Sequence, residues 1–199
     1  MSFGARVLVA GFAAALVSCG RNAPSNSNLV PAMERTVPPS VNAFQNPDFE
    51  TGKLSPWFGC LDVPGKISTY HPYQGTYDAF SGNAGVKKPE VRYSGAVCQE
   101  IIVPKNPYLS VHIWPVSNDF TKGFGQTIAA YNATTGKLIG VLWGEDKEST
   151  SWLLLHKSLK TQLGTYVGDK IIVTFGVSAP GNKNKFIGLW IDNVSMTSQ

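Results

Sequence analysis

The chain has 199 residues, 43% of them hydrophobic and 15% charged, with a formal net charge of +4. The lysines are scattered rather than clustered, which excludes a nucleic-acid footprint. Neither Cys60 nor Cys98 has a Cys or His neighbour at metal-ligand spacing, which excludes a zinc site built on them.

From the first residue, Met1 to Cys19 reads as a secretory signal. Arg6 supplies the positive charge, and Val7 to Val17 is an apolar run too short to span a bilayer. Leu16-Val17-Ser18-Cys19 resembles the bacterial lipobox, in which the Cys is lipidated and becomes the mature N-terminus. Residue 20 is Gly, not the Asp that often retains such proteins at the inner membrane. Residues 20–43 read as a flexible linker: Arg21-Asn22-Ala23-Pro24-Ser25-Asn26-Ser27-Asn28 is polar and turn-rich, and Val37-Pro38-Pro39-Ser40 follows. Such composition buries too little apolar surface to offset its ordering entropy. Export leaves Cys60 and Cys98 as an even pair in an oxidising compartment, where a disulfide between them is expected. The chain-entropy model makes such a bond worth roughly 4 kcal/mol.

Residues 44–199 read as one all-β domain. Short apolar or β-branched runs recur between Gly, Pro, Asn and Asp, at 44–50, 66–70, 97–103, 108–116, 124–131, 138–143, 151–159, 170–178 and 186–196. Leu109, Val111 and Ile113 fall on one face of their run, with Ser110, His112 and Trp114 on the other. Ile171, Val173, Phe175 and Val177 likewise share a face. Asn132-Ala133-Thr134-Thr135-Gly136-Lys137 is a hairpin signal. No run keeps a helical apolar period between caps. The number of strands implies a two-sheet antiparallel β-sandwich. Its two ends carry matched segments, Asn46-Pro47-Asp48-Phe49-Glu50-Thr51-Gly52 and Leu189-Trp190-Ile191-Asp192-Asn193-Val194-Ser195, which suggests that the first and last strands lie close.

These motifs resemble those of jelly-roll carbohydrate-binding modules with the galactose-binding-like fold. The opening segment followed by Trp57, the turn Ser81-Gly82-Asn83, the strand pair Val97-Cys98-Gln99 to Val103 and Tyr108-Leu109-Ser110-Val111, Trp152 and the ending Ile191-Asp192-Asn193-Val194 carry the resemblance in that order. It departs from the family at Pro107, where a Gly often precedes the Tyr, and at Cys98. The resemblance implies a jelly roll that binds glycans. It also implies a structural Ca²⁺ between the first and last strands, with Glu50 and Asp192 as carboxylate ligands and the Asp48 carbonyl as a third. Calcium takes six to eight oxygens, so backbone and water would supply the rest.

Five Trp and seven Tyr are many for a domain of this size. Flat aromatic faces stack on the apolar face of a pyranose. Trp57, Trp190 and Trp152 are expected in the core. Trp114 and His112, opposite the Leu109 stripe, are expected on a cleft or surface. Trp143 is expected to overhang a loop, and Tyr73 and Tyr77, with Tyr70 and His71, to form a binding rim. His71, His112 and His156 lack metalloprotease spacing, and no nucleophile elbow or phosphate loop is present. The expected function is noncatalytic binding of a polysaccharide or oligosaccharide by a lipoprotein held to the membrane through an N-terminal lipid anchor, at the outer membrane or cell surface. The alternatives are a protein-interaction or structural envelope module of the same fold, and a small glycoside-active hydrolase.

Overall fold

A computed structural model describes residues 40–82, 93–118, 125–145, 148–179 and 186–199. The expected signal, Cys19 and residues 20–39 of the linker lie outside them. Eleven strands lie among the described residues: β1 (Phe58–Leu61), β2 (Val63–Pro64), β3 (Lys66–Ser68), β4 (Asp78–Gly82), β5 (Tyr93–Ile102), β6 (Pro107–Ser117), β7 (Gly125–Asn132), β8 (Leu138–Glu145), β9 (Leu153–Ser158), β10 (Lys170–Ala179) and β11 (Ile187–Ser198). They form two sheets. The first runs β1-β5-β10-β7-β8, with β2 added to β5, and the second runs β3-β4-β11-β6-β9. Every pairing is antiparallel except β2 with β5. The chain is therefore the all-β antiparallel sandwich that its patterning implied.

Period-two alternation places the core. Along β6 the burial alternates without a break, with Leu109, Val111 and Ile113 inward. Along β10, Ile171, Val173, Phe175 and Val177 face them from the other sheet. Ser81 on β4 crosses between the sheets, its hydroxyl donating to the Phe175 carbonyl at 2.9 Å. Leu159 and Leu163, flanking and ending the short helix α1 (Lys160–Leu163), are fully buried. The 132–137 hairpin forms as expected: Asn132 Oδ1 accepts the N–H groups of Thr134 and Thr135, and Gly136 takes φ 66°.

Residues 44–50 are not a strand. Asn46 and Phe49 adopt φ of 46° and 59°, left-handed values that break up an extended run. Side chains anchor the segment instead. The Trp57 Nε1–H donates to the carbonyls of Gln45 and Asn46, and its ring stacks on Phe44 at 5.1 Å. The end segments do meet: the Val194 N–H donates to the Pro47 carbonyl at 2.8 Å. The contacts begin upstream of residue 44, since Asn42 Nδ2 donates to the Val194 carbonyl and the Ala43 N–H to that of Met196. Strands β1, β2 and β4 are additions to the expected set. Cys60 and Cys98 form the expected disulfide, with Cα atoms 6.1 Å apart.

Candidate functional site

The outer face of the second sheet carries a row of aromatic side chains. Register sets Lys66 beside Phe80, Phe80 beside Trp190, and Trp190 beside Trp114, across β3, β4, β11 and β6. Paired residues share a face, so Trp190 points the same way as Trp114 and away from the sandwich core. Trp152, just before β9, adds a ring 6.1 Å from Trp114. The Trp114 Nε1–H donates to the Ser149 carbonyl at 2.8 Å, which ties the 148–152 segment along the same face.

The next row, two residues along each strand, is polar. It holds Ser68, Asp78, Asp192 and His112. Residues 69–77, which join β3 to β4, fold over it. Tyr73 stacks on His112 with centroids 3.6 Å apart and planes 14° from parallel. His71 lies 4.3 Å from Trp114, and Tyr70 lies 6.2 Å from Trp190.

Two carboxylates hold this loop by its backbone. Asp192 Oδ2 accepts the N–H groups of Tyr73 and Gln74, and its Oδ1 accepts that of Asn193. Glu50 accepts the N–H groups of Thr76 and Tyr77. Gly75 sits between these clamps at φ 77°, and a Cβ there would collide with the Glu50 carboxyl. Glu50 and Asp192 therefore converge on one loop, and the groups they face are N–H donors. Asp48 is exposed, and its Oδ1 accepts the Glu50 N–H at 3.3 Å in a local turn. Among the described residues no three His, Cys, Asp or Glu side chains group as a metal site.

Burial dominates the electrostatics. Asp78 and Asp192 are both fully buried. Desolvation pushes Asp78 up to about 6; Ser68 and the His71 N–H face it and pull the other way, yet neither closes to a hydrogen bond. Desolvation pushes Asp192 to about 6 as well, against the N–H groups it accepts and with a further push from the Asp78 charge. Burial lowers the pKa of His112.

Beside the loop, a groove of about 490 Å³ opens on the same face. Trp190 and Phe80 lie beneath it, Tyr70, Val116 and Phe186 line it, and Lys66 and Glu148 supply charge of both signs. Tyr70 is 73% exposed, which leaves a free aromatic face at the rim.

The structure places Trp114 and His112 on one outer face and brings Tyr73, expected only as a rim residue, onto His112. Trp143 is elsewhere: it packs against the core near the β8 and β9 edges, lining a smaller cavity with Leu153 and Leu155. Tyr77 also packs against the core, its ring over Gly52. Trp57 is core, but Trp190 and Trp152 belong to the outer face, contrary to the expectation from sequence. Residues 187–192 are buried on both faces, so alternation carries no signal there. Only the cross-strand partner Trp114 reveals which side Trp190 takes.

No protein-family model and no curated protein matches the sequence. Solved structures do share the fold. TmCBM61, determined in complex with β-1,4-galactotriose, is 20% identical with a TM-score of 0.51, over 80% of this chain and 100% of that one. A structure described as showing the promiscuous specificity of carbohydrate-binding modules from the β-sandwich superfamily is 13% identical, with a TM-score of 0.53 over 79% of this chain and 63% of that one. The fold is thus that of β-sandwich carbohydrate-binding modules.

Proposed function

We propose that the protein binds glycan noncovalently on the outer face of the second sheet, in the groove beside Tyr70 and Trp190. The observation that carries this reading is the cross-strand row Lys66–Phe80–Trp190–Trp114, which opens at one end into a groove with aromatic walls and two charged flanks. Aromatic faces take the C–H face of a sugar ring, and a few polar groups orient its hydroxyls. The likeness in fold to a module holding β-1,4-galactotriose makes galactan the first probe. Affinity electrophoresis in β-1,4-galactan, xylan and other polysaccharides tests the reading. Retention that is lost in Tyr70→Ala supports it; no retention by any polysaccharide would end it.

The rest of the proposal surrounds that face. Cys19 is the lipid-modified residue, and the linker that follows it, up to the Asn42 contacts on β11, is the tether that holds the domain off the outer membrane or cell surface. Incorporation of labelled palmitate that disappears in Cys19→Ser tests the anchor. A structural calcium ion would draw on Glu50 and Asp192. Their oxygens already accept N–H groups, so the ion would compete with those donors for the same loop.

A further inference from the structure

We infer that the strip of sheet beneath residues 71–74 is a second sugar subsite, closed in this structure by the protein's own Tyr73 and His71 rings. The inference rests on the glycan reading of the neighbouring groove and extends it under the loop.

Three observations lead there. The first is what the loop rings do. Tyr73 lies flat on His112 at 3.6 Å and meets Trp152 edge-on at 5.8 Å, while His71 leans on Trp114 at 4.3 Å. A ring stacked flat on His112, with a second tilted against Trp114, occupies the position that a pyranose takes on such a surface.

The second is the state of the floor. Among the described residues, His112 Nδ1 and Trp190 Nε1 are buried without a hydrogen-bond partner, and both Asp78 carboxylate oxygens are buried with Ser68 and the His71 N–H facing them but outside hydrogen-bond geometry. Asp78 is fully buried and Trp190 is 7% exposed. Leaving such groups unpaired is costly, and unpaired groups are rare in native interiors. Here they gather under one loop, so the closed form leaves hydrogen-bonding capacity unused beneath it. Together they offer acceptors from the carboxylate, a donor from the indole, and an imidazole nitrogen that serves as either. A neutral sugar ring, apolar on its faces and hydroxylated at its edge, satisfies both kinds of group at once; the phenol of Tyr73 satisfies only the stack.

The third is how the cover is held. Tyr73 and Gln74 are exposed on their outer side, and their backbone is fastened through N–H bonds to Asp192. The Gln74 side chain accepts a single bond from Asn193 Nδ2 at 3.2 Å. No strand pairing holds residues 69–77 down; beyond Asp192, the Glu50 carboxylate fastens only the far end of the loop, at the Thr76 and Tyr77 N–H groups. Local opening of this loop leaves both sheets intact and extends the aromatic row from Trp190 through Trp114 to Trp152.

Two measurements test the subsite, and the first needs no glycan. Amide hydrogen exchange should show Tyr73 and Gln74 exchanging by local opening, well ahead of the β10 amides. Exchange as slow as β10 means that the loop opens only with the whole fold, and overturns the subsite. The second compares the wild type with Tyr73→Ala and His71→Ala by affinity electrophoresis in β-1,4-galactan and in xylan. Removing the ring that stands in for the sugar should tighten retention by roughly two- to tenfold, the worth of one aromatic stack. Retention that is unchanged or weakened in both variants, with the wild type retained, makes the loop a fixed wall and overturns the subsite alone. Absence of retention in every variant removes the groove reading together with the subsite.

Discussion

The side chain of Gln99 closes on the backbone of Gln45 as though it were one more strand residue. Its Oε1 accepts the Gln45 N–H at 2.8 Å, and its Nε2 donates to the Gln45 carbonyl at 2.9 Å. Gln99 sits on the inward face of β5 and is 3% exposed. An amide in the core is thereby satisfied at both ends, and the irregular 44–50 segment is fixed to the first sheet without a strand of its own. Gln99→Leu should leave the Gln45 N–H unpaired and lower stability by about 1–3 kcal/mol. Gln99→Glu should cost more, because it loses the donor and buries a charge. Urea denaturation of the three proteins checks the order.

Asp78 gives a pH dependence with a defined sign. Its folded pKa of about 6 lies above the ordinary 3.8, so the folded state holds a proton that the unfolded chain has released between those values. The stabilising effect is complete below about pH 4 and is lost as pH rises through 6. His112 works in the opposite sense, because burial lowers its pKa from 6.5 and acid then favours the unfolded chain. Asp78→Asn separates the two. It should raise stability at pH 7 by about 1–3 kcal/mol, and the gain should fade toward pH 4. A gain that is equal at both pH values would mean that Asp78 is not the group responsible.

Calcium would show itself in the melting temperature. On the proposal, EDTA lowers the Tm and added Ca²⁺ restores it, while Asp192→Ala melts at one temperature in both. Identical melting curves with and without EDTA would leave Glu50 and Asp192 as acceptors for the loop N–H groups and nothing more.

The disulfide joins residues 38 apart in sequence. Cys60→Ala/Cys98→Ala should lose about 2–4 kcal/mol, chiefly by freeing the unfolded chain. Equilibrium denaturation of the variant against the oxidised protein measures the difference, and reductant should affect only the latter.

How much of this was legible in sequence depended on how local the signal was. The alternation in β6 and β10 is written in consecutive residues, and both strands and their core faces follow from it. The 44–50 segment reads as a strand because Phe44 and Phe49 are apolar; Asn46-Pro47 is a turn signal that this apolar pattern outweighs, and the left-handed Phe49 has no compositional mark. Trp114 and His112 are on the outer face because their own strand says so. Trp190 and Trp152 required a partner in another strand, since residues 187–192 are buried on both sides and Trp152 precedes its strand. Phe80 was hidden with β4, a five-residue strand holding an Asp, an Ala and a Gly. Tyr73 was visible as a rim residue; that it lies on His112 was not, because 39 residues of chain separate the two.

The anchoring of Asn42 and Ala43 on β11 has a mechanical side. The chain meets the sandwich beside Val194 and Met196, and the same strand carries Trp190 in the middle of the second sheet. A pull between the N-terminal lead and anything gripped at Trp190 is borne within a single strand, flanked by β4 and β6. On the proposed function, an anchored domain would be tugged from one end of β11 while holding on with its middle.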